Sequence, residues 1–137
     1  MTNTENFTDI FEAAERGTLK DVQYFVEYAR ADVNAPKNQL GMTPLHMAAK
    51  YNSDVKVLEY LLAKKANVNA KNQSGCTPLF FAAANNPNAD VLQCLVDCGA
   101  DVNAKEEHAW TPLDFAHTDE QKRILREAGG KSGKALN

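Results

Sequence analysis

Two short strings recur in phase along this chain. Thr-Pro-Leu stands at Thr43-Pro44-Leu45, Thr77-Pro78-Leu79 and Thr111-Pro112-Leu113, thirty-four residues apart each time. Asp32-Val33-Asn34-Ala35, Asn67-Val68-Asn69-Ala70 and Asp101-Val102-Asn103-Ala104 keep step with it. Unrelated strings that repeat together over most of a chain mark a stacked array of similar units, each unable to bury its apolar face alone. That constraint favours an extended binding surface over a catalytic pocket.

Within a unit, the threonine reads as a helix cap and the proline as the first helical residue, where its missing N–H costs nothing. The short helix that follows carries small residues, Ala13-Ala14, Ala48-Ala49, Ala82-Ala83 and Ala116, which let neighbouring units approach closely. A second helix is predicted from apolar residues at helical spacing. They are Leu19, Val22, Phe25 and Val26, then Val55, Leu58, Leu61 and Leu62, then Val91, Cys94, Leu95 and Cys98. Thr18 with Asp21, and Ser53 or Asp54, mark its starts, and Gly99 suits a left-handed helix end, a place taken by Lys65 one unit earlier. A polar turn with Gly41 or Gly75 completes each unit.

At these residues the chain resembles the ankyrin-repeat family. Gly41-Met42-Thr43-Pro44-Leu45-His46-Met47-Ala48-Ala49, with Asn67-Val68-Asn69-Ala70 after the second helix, carries the likeness over roughly residues 5 to 130. The family period is about 33, so each internal unit has one extra residue, placed at 51–54 and 86–89. The expected fold is an all-α repeat solenoid, with a helix-turn-helix plus a β-hairpin-like finger per unit. Its units span about 5–37, 38–71, 72–105 and 106–130, followed by a flexible tail at 131–137. The first unit is a degenerate cap with Glu12, Glu15 and Arg16 outward. The last is shortened, with Ile124, Leu125 and Ala128 inward and Lys122, Arg123, Arg126 and Glu127 outward. Phe80 and Asp114 replace the motif histidine, and Ala109 the finger glycine, leaving hydrogen bonding and turn geometry open there.

The chemistry-bearing residues support no enzyme, cofactor or metal. His46 is expected to be a buried partner for Thr43 that ties one unit to the next. His108 and His117 lack cysteine or histidine partners at metal-ligand spacing. Cys94 and Cys98 fall on the apolar stripe and read as core. Gly129-Gly130-Lys131-Ser132-Gly133-Lys134 fails the phosphate-loop pattern at Ala128 and Ala135, with no strand before it. Nucleic acid is disfavoured by a net charge of −3, and a membrane by the lack of any long apolar run. A polar amino terminus and three cysteines fit the cytoplasm. The acceptor-like strings at Asn6 and Asn72 are then chance matches.

The resemblance implies a concave surface of fingers and first helices that binds another protein, as adaptor or inhibitor, by a monomer. The alternative is a structural or self-associating role. The residues expected on that surface are Gln39, Leu40, Met42, Lys50 and Tyr51; Lys71, Gln73, Ser74, Cys76, Ala84 and Asn85; and Lys105, Glu107, His108, Trp110 and His117. Trp110 leads, because aromatic side chains dominate interface energetics; its competing role is to pack over Cys76 or the stem of Lys105. Asparagines at the positions of Asn69 and Asn103 are hydroxylated in some family members, with a leucine eight residues earlier as at Leu61 and Leu95. The plainer expectation is a turn residue bonding its own backbone.

Overall fold

The computed structural model describes residues 7–136. The polar terminus, the start of the first unit and Asn6 lie outside the described residues. Eight α-helices follow one another among the described residues: α1 (Ile10–Arg16), α2 (Leu19–Glu27), α3 (Pro44–Tyr51), α4 (Val55–Ala63), α5 (Pro78–Asn85), α6 (Ala89–Asp97), α7 (Pro112–Phe115) and α8 (Asp119–Glu127). They form four pairs in two layers. The inner layer stacks α1 on α3, α3 on α5 and α5 on α7; the outer layer stacks α2, α4, α6 and α8 in the same order.

Alanine sets the inner spacing. Ala13, Ala14, Ala48, Ala49, Ala82 and Ala83 are all buried at the helix faces that meet, as is Ala116. The core between the layers is filled by Val22 and Phe25, by Val57, Leu58 and Leu61, and by Val91, Leu92 and Leu95. The outer stripe follows the expected one at Val22, Phe25, Leu58, Leu61, Val91 and Leu95 and departs from it at a few positions. Val57 and Leu92 are buried, whereas Val55 and Leu62 are half-buried, Cys94 is half-buried and Cys98 is exposed. Cys98 caps the end of α6, beyond the last turn that faces the core. Ala128 is likewise exposed at the end of α8, while Ile124 and Leu125 point in.

Stacking leaves the ends of short helices inside the molecule, so their carbonyls need partners. A column of buried amides supplies them. Asn52 donates to Ala14 O and Gly17 O at 3.0 and 2.9 Å. Asn86 donates to Ala49 O and Asn52 O at 3.0 and 2.8 Å, and Gln121 to Asn86 O at 2.9 Å. Asn52 and Asn86 occupy the lengthened inter-helix turns, which run from 52 to 54 and from 86 to 88 where the first unit has only Gly17 and Thr18.

A second column uses the Asp-Val-Asn-Ala strings. Asn34, Asn69 and Asn103 donate to Lys65 O, Gly99 O and Gly129 O, and accept from the amides of Asn67, Asp101 and Lys131. These side chains bridge to the next unit and do not close their own turns; Asp32, Asn67 and Asp101 do that. Lys65 takes the left-handed conformation of Gly99, φ 73° against 95°, and the helix still closes through Ala66 N to Leu61 O at 2.9 Å.

Each finger is a tight turn whose base is closed by a backbone bond, Lys37 N to Met42 O, Asn72 N to Cys76 O and Glu106 N to Trp110 O, with a second inside it, Gly41 N to Asn38 O, Gly75 N to Asn72 O and Ala109 N to Glu106 O. Fingers are joined by Gln73 N to Leu40 O and Glu107 N to Ser74 O. Gly41 and Gly75 have positive φ, and Ala109 matches them at 66°. Lys131 and Gly133, in the segment expected to be a tail, make hydrogen bonds to the last unit. Thr111 Oγ1 donates to Lys131 O at 2.6 Å and Gly133 N to Asp114 Oδ2 at 2.9 Å. A Cβ on Gly133 would lie 2.0 Å from Ala109 O, so only glycine admits this approach.

Two stability outcomes follow. Asn86→Ala leaves two buried carbonyls unpaired and is expected to cost about 3 kcal/mol. Ala109→Gly relieves a left-handed alanine, offset in part by chain entropy, and should add about 0.5–1 kcal/mol. Urea unfolding of both variants beside the parent checks the two signs.

Candidate functional site

The concave face is built by the fingers and the inner helices, and its locks are capping residues. In α3, His46 Nδ1 accepts from Thr43 N at 3.0 Å and lies 2.9 Å from the Thr43 hydroxyl. With Nδ1 accepting, the proton sits on Nε2, which donates to Cys76 O at 2.9 Å in the next finger. Burial holds the ring below its ordinary pKa of 6.5. At α7, Asp114 Oδ2 accepts from Thr111 N at 2.8 Å. Phe80 offers no such acceptor in α5, and the buried Thr77 hydroxyl is left without a partner. Phe80 instead packs edge-on against Phe115 at 5.5 Å.

Among the proposed contact residues, Gln39, Leu40, Tyr51, Lys71, Gln73, Asn85, Glu107, His108, Trp110 and His117 are exposed. Lys50, Ser74, Cys76, Ala84 and Lys105 are half-buried. Met42, expected on the surface, is buried, only 9% exposed. Gly41 turns the chain so that the next side chain points inward, and Asn72 Nδ2 contacts the Met42 sulfur at 3.5 Å. Asn72 also accepts from Ser74 N and Cys76 N, so its side chain shapes the second finger.

Leu40, Met42, Lys50, Tyr51 and Ser74 converge on one groove of about 270 Å³, together with Lys37, Asn38, Met47, Asn72 and Phe81. Lys50 Nζ stands over the Tyr51 ring at 5.0 Å and the Phe81 ring at 5.3 Å. Met47 and Phe81 lie outside the set expected from the sequence. Their signal was present in the repeat register: Met47, Phe81 and Phe115 each stand four residues after the capping threonine and form an apolar column along the inner helices.

Trp110 lies away from this groove. It is 54% exposed and packs against Phe115 at 5.6 Å and His108 at 6.3 Å. Asn85 and His117 border a separate hollow of about 220 Å³ beside Gln121. In the third finger Glu106 takes the place of Asn72, accepting from the amides of His108 and Trp110 and from the His108 ring. Burial pushes its pKa up, but those hydrogen bonds outweigh burial and hold the carboxyl below its ordinary range. Glu106, Glu107 and His108 bring potential ligand atoms within 4.8 Å of one another, yet the Glu106 carboxylate is already committed to the turn. Cys94 is pushed up to about 12 by burial and by neighbouring Cys98, so it is no nucleophile at neutral pH.

The histidines titrate in opposite directions. Stability from neutral His46 is complete above pH 6.5 and is lost as pH falls through its lower folded value. His108 is raised by its hydrogen bond to Glu106, so its contribution is complete below 6.5 and lost as pH rises through the folded value. An NMR titration should give His46 a midpoint below 6.5 and His108 one above it; a His46 resonance moving at 6.5 or higher would contradict the buried lock.

Comparison with known proteins agrees with this architecture. The family model described as ankyrin repeats (3 copies) matches residues 1–72 and 56–127. The chain is also similar to an ankyrin repeat protein of Rickettsia felis, 42% identical over 62 residues, covering 45% of this chain and 27% of that protein. It therefore spans about a quarter of the length of that curated relative. Helix pairs stacked in register with fingers between them, matched by the family model over residues 1–72 and 56–127, make this chain a member of the ankyrin-repeat family.

Proposed function

We propose that this chain is a non-catalytic binding module that recognises another protein through its concave finger and inner-helix surface, as an adaptor or an inhibitor. Ankyrin repeats are in general protein–protein interaction modules. The observation that carries the finer reading is the placement of large apolar side chains in water. Leu40 is 58% exposed, Tyr51 52% and Trp110 54%, in the finger and inner-helix segments. Fingers joined by backbone bonds hold these side chains with little entropy left to lose on binding.

The partner-contacting set is Gln39, Leu40, Lys50, Tyr51, Lys71, Gln73, Ser74, Cys76, Asn85, Lys105, Glu107, His108, Trp110 and His117, with Met42 as floor. A monomer in a one-to-one complex and a reducing, cytoplasmic setting complete the reading. Three free cysteines support that setting, and no helix among the described residues is long and apolar enough to cross a membrane.

Trp110→Ala tests the proposal. Trp110 covers part of Phe115 but keeps half its surface in water, so its loss should leave the melting temperature almost unchanged. Affinity for a captured partner should fall by about 2 kcal/mol, roughly thirtyfold. Calorimetric titration of partner against both forms reads the difference; a large drop in melting temperature with intact affinity would make Trp110 a packing residue.

A further inference from the structure

The groove between the first two fingers differs from the rest of the surface in charge as well as in shape. The fingers at 36–42 and 70–76 contain Lys37 and Lys71 and no Asp or Glu, and helices α3 and α5 add Lys50 and again no carboxylate. The chain as a whole carries −3. Its outer helices α4 and α6 bear Glu59, Asp90 and Asp97 against a single lysine, Lys56. The cationic side is therefore the concave side of the second and third units.

Among the described residues no carboxylate pairs with Lys37 or Lys50. Lys50 is held over two aromatic rings, 5.0 and 5.3 Å from their centres, directly above an apolar floor that includes Met42 and Met47. A cation fixed above an apolar hollow suits a ligand that puts an anion next to a hydrophobic side chain. The hollow, about 270 Å³, falls below the ~300–1,000 Å³ that encloses a small-molecule ligand. It is suited to one or two side chains of a longer chain passing over it.

We infer that this groove binds an acidic peptide segment of the partner, one bulky apolar side chain entering between Leu40, Tyr51 and Phe81 while a flanking Asp or Glu meets Lys50 and Lys37. This rests on the protein-binding reading above and names the partner chemistry for one part of that surface. The neighbouring finger sharpens the choice. Glu106 and Glu107 lie against the second finger, their backbone within 3.4 Å of a Cβ placed on Gly75, and after burial they add to the upward push on the Cys76 thiol. An anionic segment is thus steered away from the third finger and towards the first.

The test uses the full chain, immobilised, and a displayed random dodecapeptide library, followed by fluorescence anisotropy with the enriched peptides. The variants are Lys37→Glu/Lys50→Glu, Tyr51→Ala, Trp110→Ala, and Lys56→Glu on the outer helix as a charge control, each checked for unchanged helical circular dichroism. The expected result is enrichment of peptides pairing Asp or Glu with Leu, Phe or Trp. Their affinity should fall about tenfold or more in the double charge reversal and in Tyr51→Ala, and less than about twofold in Lys56→Glu. Raising salt from ~50 to ~200 mM should weaken binding further. Enrichment of neutral or basic peptides, indifference to the double reversal, or no enrichment over bare support would each overturn the inference. Peptides that depend on Trp110 and not on Lys50 would overturn it while leaving the broader protein-binding reading standing.

Discussion

The close approach of inner helices, set by paired alanines, is the contact on which this molecule depends. Small side chains let α1, α3, α5 and α7 lie against one another, and the short helices gain from neighbours a burial that no unit supplies alone. Close approach has a consequence: helix-end carbonyls that would face water in an isolated unit are enclosed. The buried amide column of Asn52, Asn86 and Gln121 answers it, while Asn34, Asn69 and Asn103 tie neighbouring units together at the exposed other ends of the helix pairs. Packing and polar satisfaction are thus one requirement met by two residue types.

This division leaves the exposed finger side chains with few structural contacts, because the fingers are shaped by backbone bonds and by the inward Asn72 and Glu106 side chains. Here they combine exposed aromatics with lysines on the first two fingers and a carboxylate cluster on the third. The polar gradient along one row of otherwise similar turns gives the surface a direction, which suits recognition of an asymmetric partner.

Much of this was legible beforehand because stacking repeats its demands at a fixed interval. The Thr-Pro starts, the alanine pairs and His46 as a lock between units follow from what each position does locally. Other features escaped. Met42 was placed outside because its neighbours in sequence are polar, whereas the turn at Gly41 directs it inward. The outer stripe was extended to Cys98 and Val55 because apolar spacing alone cannot distinguish a core face from its flanks, and Val57 and Leu92 hold the buried side. The tail has the composition of a loose end, yet Gly133 and Lys131 find partners in the last unit's cap.

The amino-acid order by itself determined the helical repeat character and the capped helix starts, since these rest on interactions within a few residues of one another. Tertiary structure alone decided which of the asparagines bridge units, how Phe81 and Lys50 come to share a groove with Leu40, and where the last residues attach. Those outcomes depend on the distance and angle between neighbouring units, which no single repeat encodes.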